Sequence, residues 1–168
     1  MKKVLLAVIS IIMIIVTVVP TAFAVGEQVP EWQDLILTEE EFNSILANNT
    51  VHTIDEDTRA TGLIAAYAIA ISKSGTNTLN IAGQTTGTSQ VVKSGFKEVV
   101  VQRRVNSSSS WSDYATYEDL YWDEFTYVLT KSLTVPTGYQ YRVTCVHYAK
   151  KNFFSVQKID NDSNILTF

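Results

Sequence analysis

Residues 138–150 read GYQYRVTCVHYAK, the longest clean alternation in the chain. Tyr139, Tyr141, Val143, Cys145, His147 and Ala149 fall on one phase; Gln140, Arg142, Thr144, Val146, Tyr148 and Lys150 fall on the other. Aromatic and β-branched residues repeating at a period of two mark a half-buried strand. Pro136 and Gly138 punctuate its start. This stretch is expected to be a central strand of an antiparallel β domain, which sharply limits what the rest of the chain can be.

The neighbouring segments follow the same period. Residues 63–72, LIAAYAIAIS, set Leu63, Tyr67, Ile69 and Ile71 against Ala66, Ala68 and Ala70. Alanine favours helix, but the β-branched residues and the Ser74-Gly75 turn argue for a strand. Leu79 and Ile81 share a face in a second strand, and Gly83 and Gly87 bracket a Thr-rich loop. Gly95 opens a third strand, 96–105, which the polar run 106–110 joins to a return strand beginning at Trp111. A polar loop this short makes the pair a hairpin. Residues 121–124 read as a connection. Phe125, Tyr127, Leu129, Leu133 and Val135 then form the core phase of a fifth strand. Lys131 also lies on that phase, so either the strand bulges there or its end leaves the core, because an unpaired buried ammonium is costly. Residues 153–159 are a further strand, 160–164 a turn, and 165–168 close the chain. About seven short strands with turns every 8–12 residues predict an all-β, immunoglobulin-like antiparallel β-sandwich.

The first residues are of another kind. Lys2 and Lys3 precede an apolar run from Val4 to Val19, and Ala22-Phe23-Ala24 follows Pro20. A basic start, an apolar centre and an A-x-A end form a secretory signal peptide over 1–24. The run falls short of the ~20 apolar residues of a membrane span, so a membrane is expected as a partner only through this segment, if it stays uncleaved. Residues 25–58 carry nine acids and no Lys or Arg, whereas bases slightly outnumber acids from Arg59 onward. Within this acidic leader, Thr38 and Glu41 have capping-box spacing, and Phe42, Ile45 and Leu46 follow at helical spacing. Asn48 and Asn49 stop that short helix, which must dock or fray. The β-sandwich domain is read over 59–168. Its basic excess is too dispersed to indicate nucleic acid.

The domain carries a set of motifs in order: Arg59-Ala60 before a Tyr-bearing strand, Gly87-Thr88, the V-V-V-Q strand at 99–102, a polar hairpin ending in Trp111, and G-Y-x-Y-R-V-x-x-x-H-Y-A at 138–149. In that order they resemble a family of small secreted proteins of Gram-positive bacteria, of unknown function. The resemblance covers Arg59 to Lys151 and implies an immunoglobulin-like or fibronectin-like sandwich. It implies no catalytic residues.

Elements of known chemistries are sparse. The chain has one cysteine, Cys145, so it forms no internal disulfide. It has two histidines, His52 and His147, and no G-x-S-x-G. Cys145 and His147 form a Cys-x-His pair on one strand face, but a thiolate–imidazole pair needs an open cleft and an orienting third group. The plainer reading is a buried thiol beside an edge histidine. Asp160-x-Asp162-x-Asn164 has the start of a calcium loop without its glycine or later glutamate, and reads as a polar turn. Glu118-Asp119 and Asp123-Glu124 have the residue types of a glycosidase pair, but solvated loops suit them better. No catalytic residue, metal ligand or cofactor is expected.

What remains is aromatic. Trp111, Tyr114, Tyr117, Tyr121 and Trp122 lie on an expected edge strand and connection, interleaved with acids. Such residues make either a binding surface or protection for the sandwich edge. Phe125 and Tyr127 belong to the core phase. Arg103, Arg104 and Arg142 are expected to stand together on outward faces and to receive the acidic leader. The functional expectation is a non-enzymatic binding domain, secreted, extracellular or attached to the cell envelope, whose partner is a protein or a wall glycan. The alternative is a secreted effector or antagonistic peptide with a removable leader; a small hydrolase is the least favoured.

Overall fold

The computed structural model describes residues 29–50, 52–53 and 62–168. The signal segment, the leader residues Val25–Gln28, the acids Asp55–Asp57 and the Arg59-Ala60 motif lie outside the described residues. In chain order the elements are β1 (Gln33–Asp34), α1 (Glu39–Leu46), β2 (His52–Thr53), β3 (Ile64–Ser74), β4 (Thr78–Gly87), β5 (Lys93–Arg104), β6 (Ser112–Trp122), β7 (Thr126–Thr134), β8 (Gln140–Asn152), β9 (Ser155–Asp162) and β10 (Leu166–Thr167). Seven strands are long; the other three are two residues each.

All pairing is antiparallel. The first sheet runs β1-β7-β4-β3-β2. The second runs β6-β5-β8, with β9 and β10 pairing successive stretches of the far side of β8. The chain changes sheets after β4, β6 and β7. This is the immunoglobulin-like sandwich, with an extra strand beside β5 in the second sheet. The core between the sheets holds Ile69, Ile71, Leu79, Ile81, Phe96, Val99, Val101, Leu129, Leu133, Tyr141 and Val143. These are the period-two phases of their strands, so alternation sorts them inward. Tyr141 fixes the corner between β7 and β8. Its hydroxyl donates to the Pro136 carbonyl at 2.8 Å, the tyrosine corner of such sandwiches. Burial pushes the Tyr141 hydroxyl up to about 12.

Three stretches are more regular than the sequence suggests. β4 continues through the Thr-rich stretch to Gly87 instead of looping from Gly83. Gly83 is needed inside the strand, since a Cβ there would lie 2.7 Å from Ile69 Cδ1 and 2.8 Å from Phe96 Cζ. β6 likewise runs through Tyr121 and Trp122, so the connection begins only at Asp123. Gly95 faces this end of β6 with φ +152°; a Cβ would lie 2.1 Å from the Leu120 carbonyl oxygen. β9 extends to Asp162, which puts Asp160 and Asp162 on a strand and not in a turn. Asn164 is committed to the fold: its side chain accepts from the Ile71 N–H at 2.9 Å and donates to the Ile71 carbonyl at 3.0 Å.

The leader is built into the sandwich. Thr38 and Glu41 close a capping box at the start of α1, and the acids Glu39 and Glu40 share that first turn. The helix lays Ile45 and Leu46 on Ala68, Ala70 and Ala82, the outer face of the first sheet. Upstream, β1 pairs the edge of β7. Trp32 stacks on Tyr117 with ring centroids 3.5 Å apart and planes 6° from parallel, and the Tyr117 hydroxyl donates to the Pro30 carbonyl. Burial pushes that hydroxyl up to about 12. Lys131 meets Asp34 in an ion pair and lies over the Trp32 ring. Pairing runs unbroken through Ile81↔Lys131. The strand therefore neither bulges nor leaves the core at Lys131; the leader supplies its partners. The described residues of the leader do not dock on Arg103, Arg104 or Arg142, which belong to the other sheet.

Candidate functional site

The outer face of the second sheet carries no covering element among the described residues. Its character follows from register. β5 sends Glu98, Val100, Gln102 and Arg104 outward, opposite the inward Val99, Val101 and Arg103. On β8 the outward residues are Gln140, Arg142, Thr144, Val146 and Tyr148. Across this face Arg104 opposes Gln140, and Gln102 opposes both Arg142 and Asp113. Cross-strand neighbours of this kind are close enough to bond.

They do. The Arg104 Nε donates to Gln140 Oε1 at 2.8 Å, the Arg142 Nε donates to Gln102 Oε1 at 2.9 Å, and Gln102 Nε2 donates to Asp113 Oδ1 at 2.8 Å. Arg142 also donates to Asp162 at 3.3 Å. Trp111 sits among them, its ring 4.3 Å from the Arg104 guanidinium and 4.7 Å from that of Arg142. Each guanidinium has five N–H donors, so donors remain beside a part-exposed indole. The arrangement can stack a flat apolar ligand face on the indole and hydrogen-bond its hydroxyl, amide or carboxylate groups.

The other sequence candidates separate from this cluster. Arg103 points inward, because consecutive strand residues face opposite ways. Its guanidinium covers Tyr114 at 4.7 Å and Tyr139 at 5.1 Å, so the three arginines do not stand together. Tyr114 packs edge-on against Tyr141 at the rim of the core, and Tyr117 lies beneath Trp32. Tyr121 is on the outer face but ten residues from Trp111, ~30 Å along a strand. It stacks on Tyr148 at 4.9 Å and lies under Lys93. Trp122 is 61% exposed at the end of the sandwich, its ring tilted over Tyr127. Phe125 is 55% exposed and not in the core, since it precedes β7 in the loop where its carbonyl accepts from Gly87 N–H.

The Cys-x-His pair is buried among a set the sequence did not connect. β8 lies between β5 and β9, so His147 is central and fully buried, not at an edge. Thr85 Oγ1 donates to the Gly95 carbonyl at 2.8 Å and stands 2.7 Å from His147 Nδ1. With its one proton given to a carbonyl, Thr85 can only accept from the ring, so Nδ1 carries hydrogen. Nε2 is then the acceptor for the Cys145 thiol, 3.4 Å away. Burial pushes His147 down to about 3 and drives the Cys145 thiol far upward. A neutral ring beside a protonated thiol, with no opening to solvent, is a satisfied core network and not an activated nucleophile. One member of each carboxylate pair is engaged at the surface. Asp119 pairs with Lys97, whose hydrogen bond holds its carboxyl below the usual range, and Asp123 pairs with Lys93.

No protein-family model matches the chain, and no curated protein sequence matches it. Among solved structures, the GAE domain of GGA2p from Saccharomyces cerevisiae aligns over 71% of this chain and 97% of that one, with 8% identity and a TM-score of 0.28.

Proposed function

We propose that the chain is an exported, non-enzymatic binding protein, secreted or held at the cell envelope, that recognises a protein or a wall glycan. The recognition surface is the outer face of the second sheet, centred on Trp111, Arg104 and Arg142. One observation carries this reading: Trp111 is part-exposed and lies against the guanidiniums of Arg104 and Arg142, which hydrogen bonds to Gln140 and to the Gln102–Asp113 pair keep in place. Pre-organised aromatic and arginine side chains on an uncovered sheet are the residue types that dominate binding energy at interfaces.

The docked leader supports this reading over the effector with a removable leader. Trp32, Ile45 and Leu46 are packed into the sandwich, so a mature chain beginning at Arg59 would leave apolar surface bare. N-terminal sequencing of the exported protein tests this: a start at Val25 agrees, and a start near Arg59 favours the effector. The binding claim is tested by co-sedimentation with purified cell-wall material and by capture of surface proteins, comparing the natural chain with Trp111→Ala and Trp122→Ala. Loss with Trp111→Ala at unchanged fold is expected. Binding that survives both changes sinks the proposed surface.

A further inference from the structure

Large apolar side chains cluster, exposed, at one end of the sandwich, whereas Ile36 and Val105 are exposed singly elsewhere. The starts of β5 and β9 and the ends of β6 and β8 lie there, as the registers Lys93↔Lys150, Ser94↔Trp122 and Asn152↔Ser155 require, and β7 starts there after the short connection 123–125. At the β8–β9 turn Phe153 is 82% exposed and Phe154 is 92% exposed, their rings edge-to-face at 5.2 Å. Val92, Val156, Trp122 and Phe125 are exposed at the same end. Core packing does not explain two adjacent phenylalanines at a hairpin tip, where polar turn residues are the rule.

We infer that this end is a membrane-docking tip, which sets Phe153 and Phe154 into the interface of a bilayer bearing anionic headgroups. Three features favour a lipid surface over a protein. The two rings stand nearly bare on a tight turn, so they enter a soft surface more readily than they fill a flat protein interface. Its immediate cations match anionic headgroups: Lys150 and Lys158 lie on the outward phase of the same hairpin, and Lys151 precedes the turn. Aromatic rings at headgroup depth with lysines reaching back to phosphates are the pattern of interfacial anchoring. The turn also meets part of its own backbone need, because the Phe154 N–H donates to Asn152 Oδ1 at 3.0 Å. A second copy docking tip to tip would bring like-charged lysines together.

The experiment uses the protein as recovered after export, with its N terminus sequenced, and an environment-sensitive fluorophore on Ser155→Cys; Cys145 is buried and stays unlabelled. The label reports insertion of the tip itself, which a retained N-terminal apolar run does not supply. With vesicles containing about one-third phosphatidylglycerol, the emission is expected to shift blue and to be quenched by lipid-borne quenchers. Pure phosphatidylcholine should bind roughly tenfold more weakly, and added salt should weaken the anionic case. Phe153→Ala with Phe154→Ala should lower binding by about thirtyfold or more with an unchanged melting temperature. Trp111→Ala should leave it unchanged, which separates this site from the sheet-face surface. An unshifted label, equal binding by the double variant, or equal loss with Trp111→Ala overturns the assignment. So does vesicle-independent self-association that the double variant abolishes.

Discussion

The two sheets of this sandwich share a core but treat their outer faces in opposite ways. The first sheet sends Ala68, Ala70 and Ala82 outward, and α1 lies directly on them with Ile45 and Leu46. The second sends Gln102, Arg104, Arg142 and Tyr148 outward, with the fold laying nothing over them among the described residues. Short apolar side chains leave room for a helix to seat close to a sheet. Long polar ones bond across strands and keep a face wet. The outward phase of each strand thus tells which face the chain covers for itself and which it leaves uncovered among the described residues.

Removing the cover is the strongest way to break this contrast. A chain shortened to begin at Arg59 loses Trp32, Leu37, Phe42, Ile45 and Leu46 from packed positions. Apolar burial set against the ordering of the leader predicts a loss on the order of 3–5 kcal/mol. Since the docking is mostly apolar and the Lys131–Asp34 pair is exposed on its Asp34 side, that loss should change little with salt in thermal melts. Unchanged stability would mean the leader rides on the sheet without supporting it.

The core between the faces responds to pH. His147 has a folded value of about 3 against 6.5 for the free group, because burial disfavours the charged ring. Between those values the unfolded chain binds the proton and the folded one does not. Stability therefore falls as pH drops below ~6.5, by up to about 1.4 kcal/mol per pH unit until ~3. By pH 4.5 the loss is about 2–3 kcal/mol. Denaturation of the natural chain and of His147→Gln should show a steeper acid limb for the former; parallel limbs would contradict the buried neutral ring.

Tyr141→Phe comes next in size. It keeps the ring in the core and removes only the bond to the Pro136 carbonyl. A loss of about 1–3 kcal/mol is expected from chemical denaturation. A neutral result would mean that packing alone holds the β7–β8 corner.

How much of this was legible in the residues depends on distance along the chain. β8, β5 and most of β7 declare themselves, because period-two alternation is local and Val99, Val101, Leu129 and Val143 obey it. The capping box of α1 is equally local. The helix's seat was half visible: the Ala66, Ala68 and Ala70 phase marks a face that something approaches closely, but nothing nearby names what. Trp32 sits in an acidic leader with no periodic context, so its stack on Tyr117 was hidden, and with it the answer to Lys131. Thr85 and His147 are 62 residues apart and meet only through register across the sandwich. Their network needed the fold. The inward turn of Arg103 did not, since it shares the phase of Val99 and Val101 and alternation alone sets it opposite Arg104.

The smallest expected effect on stability is at the uncovered face, and it sharpens the comparison most. Trp111→Ala removes two cation–π contacts at a part-exposed site, worth together about 1 kcal/mol. Leu46→Ala on the covered face removes a buried side chain and should cost about 2–5 kcal/mol. If Trp111 matched Leu46 in denaturation experiments, the outer face of the second sheet would be a structural element like the first. A small stability loss with full loss of wall or protein binding would instead separate the two faces by role. The Arg104–Gln140 and Arg142–Gln102 bonds survive that substitution, so the strands stay paired while the indole is gone. Arg142→Lys then tests the positioning of the ring: a lysine keeps the charge but not the planar fork that bonds Gln102 while lying on the indole. Weaker binding at unchanged stability is expected, and unchanged binding would mean that charge alone, not the held indole, serves the ligand.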